Sequence, residues 1–384
     1  MSRSTDFLRQ LPQSDERFSG PSLLMRWLHI DTILLLMLLL LIGSGLFVLF
    51  SGSGQDISDV KRQGAHFGLG LILMLLVAQI DPDHLRRWSP WIYGAGLLGL
   101  AAVMLVGTDA KGAQRWVQIP FVGFRVQPSE FMKLAVPMMV AWYLSDRVLP
   151  PSPRRLMVAL IIIFVPTVMI LRQPDLGTSI LIASSGIFVL LFAGLSWRWI
   201  MGSAVVAGIA APLMWFFVMR PYQKQRVLTL LDPESDPLGA GWNIIQSKTA
   251  IGSGGMGGKG WLSGTQSQLD FLPEGHTDFI IAVLGEEFGF IGVLSILALY
   301  VAIVLRGFYI AINGQSTYAR LVAGAFTSIF FVYVFVNMGM VSGILPIVGV
   351  PLPLVSYGGT SVLTLMASFG VLMSVHSHKK ILKR

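Results

Sequence analysis

Long apolar runs constrain the fold of this chain more than any other feature. A helix needs about 20 apolar residues to cross the hydrocarbon core of a bilayer. Runs of this kind lie near 31–50, 63–80, 89–107, 130–144, 156–171, 177–195, 199–219, 279–305, 319–343 and 360–376. Because the runs are continuous and do not alternate, they predict helices and not the strands of a β-barrel. The sequence therefore predicts an all-α polytopic membrane protein with about ten transmembrane helices.

The composition excludes a water-soluble globular protein. Hydrophobic residues make up 54% of the 384 residues and charged residues only 12%, whereas a soluble domain carries about 25% charged residues. The chain has no cysteine, which excludes disulfides, thiolate metal sites and a cysteine nucleophile. The net charge of +8 comes from loop residues and not from a basic domain, so we expect no nucleic-acid partner.

The positions of Lys and Arg predict how the spans are oriented. One side of the membrane would carry four Arg residues before the first run, several loop Arg residues and the basic tail 377–384. Since cytoplasmic loops are enriched in Lys and Arg, we expect residues 1–30 and the tail to be cytoplasmic. The long loop 220–278 then lies outside the cytoplasm, and its apolar residues suggest that it folds against the membrane surface.

Glu130 and Lys133 are ionisable residues at the start of an apolar run, where charge is costly and marks a candidate functional site. Their spacing of three places both on one helix face as a possible ion pair. One interpretation is structural, with Ser129 as a helix cap and the pair as a stabilising contact. The other is functional, with the pair in the wall of a polar cavity. The spacing alone leaves both open.

Two aspartates lie at ends of runs on the predicted outer side. Asp278 follows His276 and Thr277 and precedes apolar residues. It is either a carboxylate at a helix N-terminus, with Thr277 as the cap, or a general base, since partial desolvation would favour its protonation near neutral pH. Asp175 either belongs to a tight turn or contributes to the same site.

Basic residues on the predicted outer side run against the positive-inside bias. They are Lys111, Arg115, Arg220, Lys224 and Arg226. Guanidinium and ammonium groups bind phosphate oxygens, so an anionic ligand is one explanation and simple solvation is the other. The Gly-rich stretch 250–261 does not match a phosphate-binding loop, and we expect either a flexible hinge or close backbone packing there. No spacing of His and carboxylates predicts a zinc site.

Several motifs together resemble the SEDS family of bacterial cell-wall proteins (shape, elongation, division and sporulation). They read KGAQRW at 111–116, QPSE at 127–130, QPDLGTS at 173–179, HTDF at 276–279 and NMGMVSGILPIVGVPLPLVSYGGTS at 337–361. SGQD at 53–56 and the stretch that begins DPESDPLGAGW resemble elongation members more than division members. On this resemblance, residues 31–376 are identified as a SEDS transmembrane domain.

The resemblance implies a peptidoglycan glycosyltransferase that polymerises lipid II into β-1,4 glycan strands during lateral cell-wall elongation and rod-shape maintenance. It implies a multi-pass protein of the bacterial cytoplasmic (inner) membrane with the active site facing the periplasm. The implied partners are lipid II, which is an undecaprenyl-pyrophosphate-linked disaccharide peptide, a class B penicillin-binding protein transpeptidase, the elongation machinery and membrane lipids.

The resemblance also implies which residues form the site. The expected catalytic residues are Asp278, as general base, with Glu130 and Lys133. The expected substrate-binding residues are Lys111, Arg115, Trp116, Gln127, Ser129, Asp175, Arg226, His276, Thr277 and Ser356.

Cofactors and two other functions stay open at this point. The residues identify no certain cofactor, although a divalent cation, Mg²⁺ or Mn²⁺, could help to neutralise the departing pyrophosphate. A lipid II flippase would bind the same ligand, and basic residues with an intramembrane Glu–Lys pair would suit it. A scaffold that only recruits the transpeptidase is the third alternative.

Overall fold

The computed structural model describes residues 29–106, 108–110, 113–118, 125–173, 175–219, 221–235, 240–269, 271 and 275–378. Helices dominate these parts of the chain. They are α1 (Thr32–Gly52), α2 (Ile57–Ala78), α3 (Pro82–Val106), α4 (Pro128–Ser145), α5 (Pro153–Arg172), α6 (Leu176–Phe192), α7 (Trp197–Leu213), α8 (Pro221–Leu231), α9 (Ala240–Gly254), α10 (Thr265–Gln268), α11 (Ile280–Ile312), α12 (Thr317–Val341) and α13 (Thr360–Ser377). A π-helical turn, Met214–Val218, continues α7.

Each predicted apolar run coincides with one of these helices. Among the described residues, seven helices are long and apolar enough to cross a membrane, namely α1, α2, α3, α5, α11, α12 and α13. Of the other three, α6 and α7 have 17 residues each, and α4 carries Glu130 and Lys133. The helical, polytopic membrane architecture is therefore confirmed, while the count of ten spans stays a prediction.

Polar side chains at the helix starts explain where several helices begin. The first N–H groups of a helix have no acceptor inside it, and Asp, Asn, Ser or Thr at the cap position supplies one. Asp31 accepts from the backbone of Ile33 and Leu34 at the start of α1. Asp56 caps α2 and Ser316 caps α12 in the same manner.

Helix α12 lies at the centre of the bundle. It packs against α4, α6 and α11, and most of its residues are buried. Helix α4 is also buried along most of its length. Polar side chains on these two helices are therefore surrounded by protein, where each needs a partner within the chain.

The predicted outer loops contain secondary structure that the apolar pattern did not indicate. The strands β1 (Thr108–Ala110), β2 (Ala113–Gln118) and β3 (Arg125–Val126) form an antiparallel sheet in the order β1-β2-β3. The loop 220–278 contains α8, α9 and α10, and α9 packs against α11.

The segment 344–359 connects α12 to α13 without helix or strand and enters the bundle. Helix α1 approaches its backbone so closely that only glycine fits at position 45. A Cβ atom there would lie 2.8 Å from the carbonyl oxygen of Leu354 and 2.8 Å from the Cα of Val355. The backbone of this segment is thus in close contact with α1 on one side.

Two glycines of α1 offer a matched test of this contact. Gly45→Ala should lower the melting temperature of the purified protein, because the added methyl group must push α1 away from the backbone of 344–359. Gly43→Ala should leave the melting temperature unchanged or raise it, because nothing lies within 4 Å of its Cβ position and Ala is the better helix former by about 1 kcal/mol. Equal melting temperatures for both variants would contradict the described contact.

Candidate functional site

A cavity of about 500 Å³ lies between α4, α6, α12, the start of α11 and the segment 344–359. Residues from distant parts of the sequence line it. Those among the expected site residues are Trp116, Gln127, Glu130, Lys133, Asp175, Thr277 and Asp278. The fold therefore brings together side chains that four separate motifs contribute.

Asp278 lies in a turn two residues before α11 and borders the cavity. Phe279 occupies the capping position of α11 and makes no side-chain capping bond, and Asp278 directly precedes it. The opposite wall comes close to the carboxylate, since a Cβ atom at Gly349 would lie 3.4 Å from Asp278 Oδ2. The carboxylate thus faces a narrow part of the cavity.

The ion pair expected between Glu130 and Lys133 is present in the first turns of α4. Lys133 Nζ lies 2.5 Å from Glu130 Oε1, and each side chain is only 9% exposed. Thr364 of α13 donates a hydrogen bond to Glu130 Oε2 at 3.2 Å. Lys133 Nζ also lies 4.9 Å from the centre of the Tyr333 ring, a distance at which the ring face attracts a cation. The pair is therefore held from α12 and α13 as well as from its own helix.

Asp175 lies at a helix start and also borders the cavity. It is the N-cap of α6, where its carboxylate accepts a hydrogen bond from the Thr178 backbone at 3.2 Å. It is also buried and lines the cavity together with Thr178. A structural position at a helix start does not prevent this carboxylate from facing a ligand.

The sheet and the start of α4 contribute two further residues to the lining. Trp116 lies on β2 and Gln127 directly precedes α4. Lys111 lies outside the described residues, as do the side chains of Arg115 and Arg226. The expectation that these basic residues bind an anionic ligand thus falls on atoms that the structure does not describe.

Three expected substrate-binding residues lie outside the cavity lining. Ser129 is buried in the first turn of α4. The ring of His276 packs edge-on against Tyr357, with 6.2 Å between the ring centres. Ser356 Oγ accepts a hydrogen bond from the Leu352 backbone at 2.8 Å and so holds a turn of the segment 344–359. His276 thus packs against Tyr357, a residue of the cavity lining.

Sequence analysis missed four residues that shape the site. Tyr333, Tyr357, Asn337 and Thr364 either line the cavity or bond to residues that do. Asn337 is completely buried within an apolar run. Because a polar side chain inside a membrane span is costly, the sequence could have identified Asn337 as a candidate functional residue.

A second polar cluster lies where the Gly-rich stretch 250–261 meets α11. Lys259 Nζ lies 2.7 Å from Glu286 Oε1, and Ser51 donates a hydrogen bond to Glu287. Of the two alternatives for this stretch, a hinge or close backbone packing, the structure shows close packing, since a Cβ atom at Gly258 would lie 2.1 Å from the carbonyl oxygen of Glu287. This cluster anchors the loop 220–278 on α11, and its residues are not among those that line the cavity.

Comparison with known proteins places the chain in a family. Residues 25–381 match the FtsW, RodA and SpoVE family, described as a cell cycle protein family. The chain is 54% identical to the peptidoglycan glycosyltransferase MrdB of Escherichia coli (strain K12), over 93% of this chain and 96% of that protein. It is 36% identical to the probable peptidoglycan glycosyltransferase FtsW of Trichlorobacter lovleyi, over 91% of this chain and 94% of that protein. The protein belongs to this family, which is the SEDS family that its motifs resemble.

Solved structures have the same fold. A chain from a peptidoglycan synthase complex that coordinates polymerization and crosslinking aligns with a TM-score of 0.80 at 29% identity, covering 91% of this chain and 99% of that one. The rod shape determining protein RodA of Thermus thermophilus aligns with a TM-score of 0.69 at 27% identity, covering 92% and 99%. The likeness thus extends over nearly the whole bundle.

A divalent cation would need several oxygen or nitrogen donors close together. Within the part of the chain that the structure describes, no three His, Asp or Glu side chains lie close enough together to bind a metal ion. Of the described carboxylates in the cavity lining, Glu130 is already paired with Lys133, Asp175 caps α6, and the third belongs to Asp278. The described donor set therefore does not fit a metal site.

The buried ion pair makes a prediction about stability. Lys133→Met should lower the free energy of unfolding by about 3–5 kcal/mol, because it leaves the Glu130 carboxylate buried without its cation. The melting temperature should fall accordingly. The double variant Glu130→Gln/Lys133→Met should recover most of that loss, since replacing both partners removes the uncompensated charge. Thermal unfolding in detergent measures both, and a double variant as unstable as Lys133→Met would argue against this account.

Proposed function

We propose that the protein is a peptidoglycan glycosyltransferase that polymerises lipid II into β-1,4-linked glycan strands during lateral cell-wall elongation and rod-shape maintenance. The 54% identity with MrdB over 93% of the chain supports the enzyme class, and the likeness to RodA of Thermus thermophilus supports the role in rod shape. The main structural support for the proposal is that Asp278 and the Glu130–Lys133 pair line the same cavity.

Asp278 is the general base of the proposed reaction. Its carboxylate takes the proton from the C4 hydroxyl of the acceptor's N-acetylglucosamine while that oxygen attacks C1 of the donor's N-acetylmuramic acid. The bond from C1 to the pyrophosphate oxygen breaks, and its electron pair leaves with undecaprenyl pyrophosphate. Because an α-linked donor gives a β linkage, one displacement with inversion is enough, and a single base serves it.

Positive charge stabilises the departing pyrophosphate in this mechanism. Lys133 borders the same cavity as Asp278, and Glu130 orients its ammonium group through the 2.5 Å contact. Glu130 thus acts on Lys133 and does not transfer a proton itself. Lys111, Arg115 and Arg226 are proposed to contribute further charge, in keeping with their positions in outer loops.

The remaining site residues divide by their position. We assign contacts with the sugars and the pyrophosphate to the other expected residues of the lining, namely Trp116, Gln127, Asp175 and Thr277. Ser129, His276 and Ser356 keep a supporting role, since they pack behind the lining.

The proposed orientation places the cavity at the periplasmic face of the cytoplasmic membrane, with ten spans and both termini inside the cell. The bias of Lys and Arg toward the opposite side supports it. The proposed partner is a class B penicillin-binding protein transpeptidase. The fold likeness to a chain of a peptidoglycan synthase complex supports an assembly of this kind.

A lipid II flippase is the alternative of a different class. The buried Glu130–Lys133 pair would also suit a path for a charged headgroup. The names of the curated relatives favour the enzyme, and so does a carboxylate that borders the cavity next to a helix start.

Asp278→Asn tests the base directly. We expect the rate of lipid II polymerisation by the purified protein with its partner to fall about 10²–10⁴-fold, the usual contribution of general-base catalysis, because the amide keeps the size of the side chain but cannot accept the proton. Asp56→Asn is the matched control, since Asn caps a helix as well as Asp does and Asp56 is an exposed cap of α2. Glycan products resolved on a gel report both, and wild-type activity in Asp278→Asn would refute the assignment.

The double variant Glu130→Gln/Lys133→Met separates a structural from a functional ion pair. If Lys133 stabilises the leaving group, the double variant should fold well but polymerise lipid II at least about tenfold more slowly than wild type. The reason is that it lacks the fixed ammonium group that would stabilise the negative charge of the departing pyrophosphate. A folded double variant with wild-type polymerisation would mean that the pair only stabilises the bundle.

A further inference from the structure

Asn337 connects the two sides of the cavity through one completely buried side chain. It lies in the last part of α12 with no exposed surface. Its Nδ2 group donates one hydrogen bond to the carbonyl oxygen of Asp278 at 2.8 Å and another to the carbonyl oxygen of Val350 at 2.8 Å. Asp278 belongs to the turn before α11, whereas Val350 belongs to the segment 344–359. A single amide group therefore holds two chain segments that have no covalent connection nearby.

The chemistry of these contacts requires an amide at this position. Both acceptors are backbone carbonyl oxygens, so the side chain must supply two donors from one atom, and an amide NH₂ group does this. A carboxylate supplies none and a hydroxyl supplies one. The contact with Val350 is buried, so a Val350 carbonyl that loses its donor is not simply rehydrated.

The second contact also fixes the wall that faces the proposed base. Gly349 directly precedes Val350 and has a backbone φ of +73°, which a residue with a side chain adopts only with strain. Its Cβ position lies 3.4 Å from Asp278 Oδ2. The hydrogen bond from Asn337 to Val350 therefore also keeps Gly349 next to the Asp278 carboxylate. The hydrogen bond from Asn337 to the Asp278 carbonyl oxygen fixes the backbone that bears this carboxylate.

We infer that Asn337 is a positioning residue of the glycosyl transfer, because it sets the separation between the Asp278 carboxylate and the Gly349–Val350 wall. This inference rests on the proposed role of Asp278 as general base. Loss of the amide would shift the carboxylate relative to the wall, and a misplacement of about 1 Å in a catalytic arrangement can cost about 10²-fold in rate. The lining that α4 and α6 supply would stay in place, so substrate binding should change little.

Asn337→Ala and Asn337→Ser test the inference with the full-length protein in complex with its transpeptidase partner. The alanine variant removes both donors, and the serine variant keeps one hydroxyl and provides a second test if alanine impairs folding. Ser374→Ala is the matched control, since Ser374 is also completely buried and donates one tertiary hydrogen bond, to the carbonyl oxygen of Ile80 at 2.5 Å, but lies on α13 away from the cavity lining.

We expect Asn337→Ala to lower kcat for lipid II polymerisation about 10- to 100-fold with KM within about threefold of wild type. Asn337→Ser should lie between alanine and wild type, and Ser374→Ala should keep kcat within about twofold of wild type. Hydrogen–deuterium exchange should become faster in peptides covering 275–282 and 346–352 of the Asn337 variants, while peptides covering α2 should exchange as in wild type.

Three results would overturn the inference, two of them from the direct comparison of variants. One is a kcat for the Asn337 variants equal to that of Ser374→Ala, and the other is unchanged exchange in both 275–282 and 346–352. A fall in activity caused wholly by a higher KM would also count against it, since it would place Asn337 in substrate binding. Failure of the proposed base is a separate result, because it would appear as retained activity in Asp278→Asn whatever the Asn337 variants do.

Discussion

The segment 344–359 carries backbone polar groups into a helix bundle without forming a helix or strand. Some of these groups bond to other backbone groups, such as the Tyr357 N–H to the carbonyl oxygen of His276, and side chains satisfy several of the others. Tyr300 donates to the carbonyl oxygen of Pro353 at 2.6 Å. Gln63 donates to the carbonyl oxygen of Ser356 at 3.3 Å and accepts from the Gly358 backbone at 3.1 Å. Irregular backbone at membrane depth is tolerated only where protein or a water-filled cavity surrounds it. Helices α2 and α11 therefore hold this segment as one wall of the cavity, and α12 does so through Asn337.

Ion pairs and hydrogen bonds fix the polar side chains on the walls that face this segment. Lys133 and Glu130 pair with each other, and Thr364 of α13 donates to the carboxylate. Asp175 is fixed by the backbone at the start of α6. Charged groups that are oriented before a ligand arrives need little reorganisation during a reaction. The cavity thus presents a carboxylate on one side and a held cation on another, which is the arrangement that the proposed displacement of a pyrophosphate requires.

The sequence was most informative where local pattern alone decides the structure. The apolar runs predicted the positions of the spanning helices because length and hydrophobicity suffice for a helix in lipid, and the spacing of Glu130 and Lys133 predicted their pairing. It gave no indication of the strands between Thr108 and Val126, which depend on pairing between segments. It also did not reveal the roles of Asn337 and Gln63, because their partners lie far away in the sequence, and no periodicity encodes such contacts.

In the proposed function, the cavity is a site of chemistry and not a path for lipid transport. Proteoliposomes with fluorescent lipid II test this most directly, using wild type and Asp278→Asn with the partner's transpeptidase blocked. Polymer is resolved on a gel, and transfer between leaflets is followed by quenching of the accessible label. We expect polymer from wild type alone, with transfer at the level of protein-free vesicles in both samples. Transfer by wild type without any polymer would contradict it and would favour the flippase.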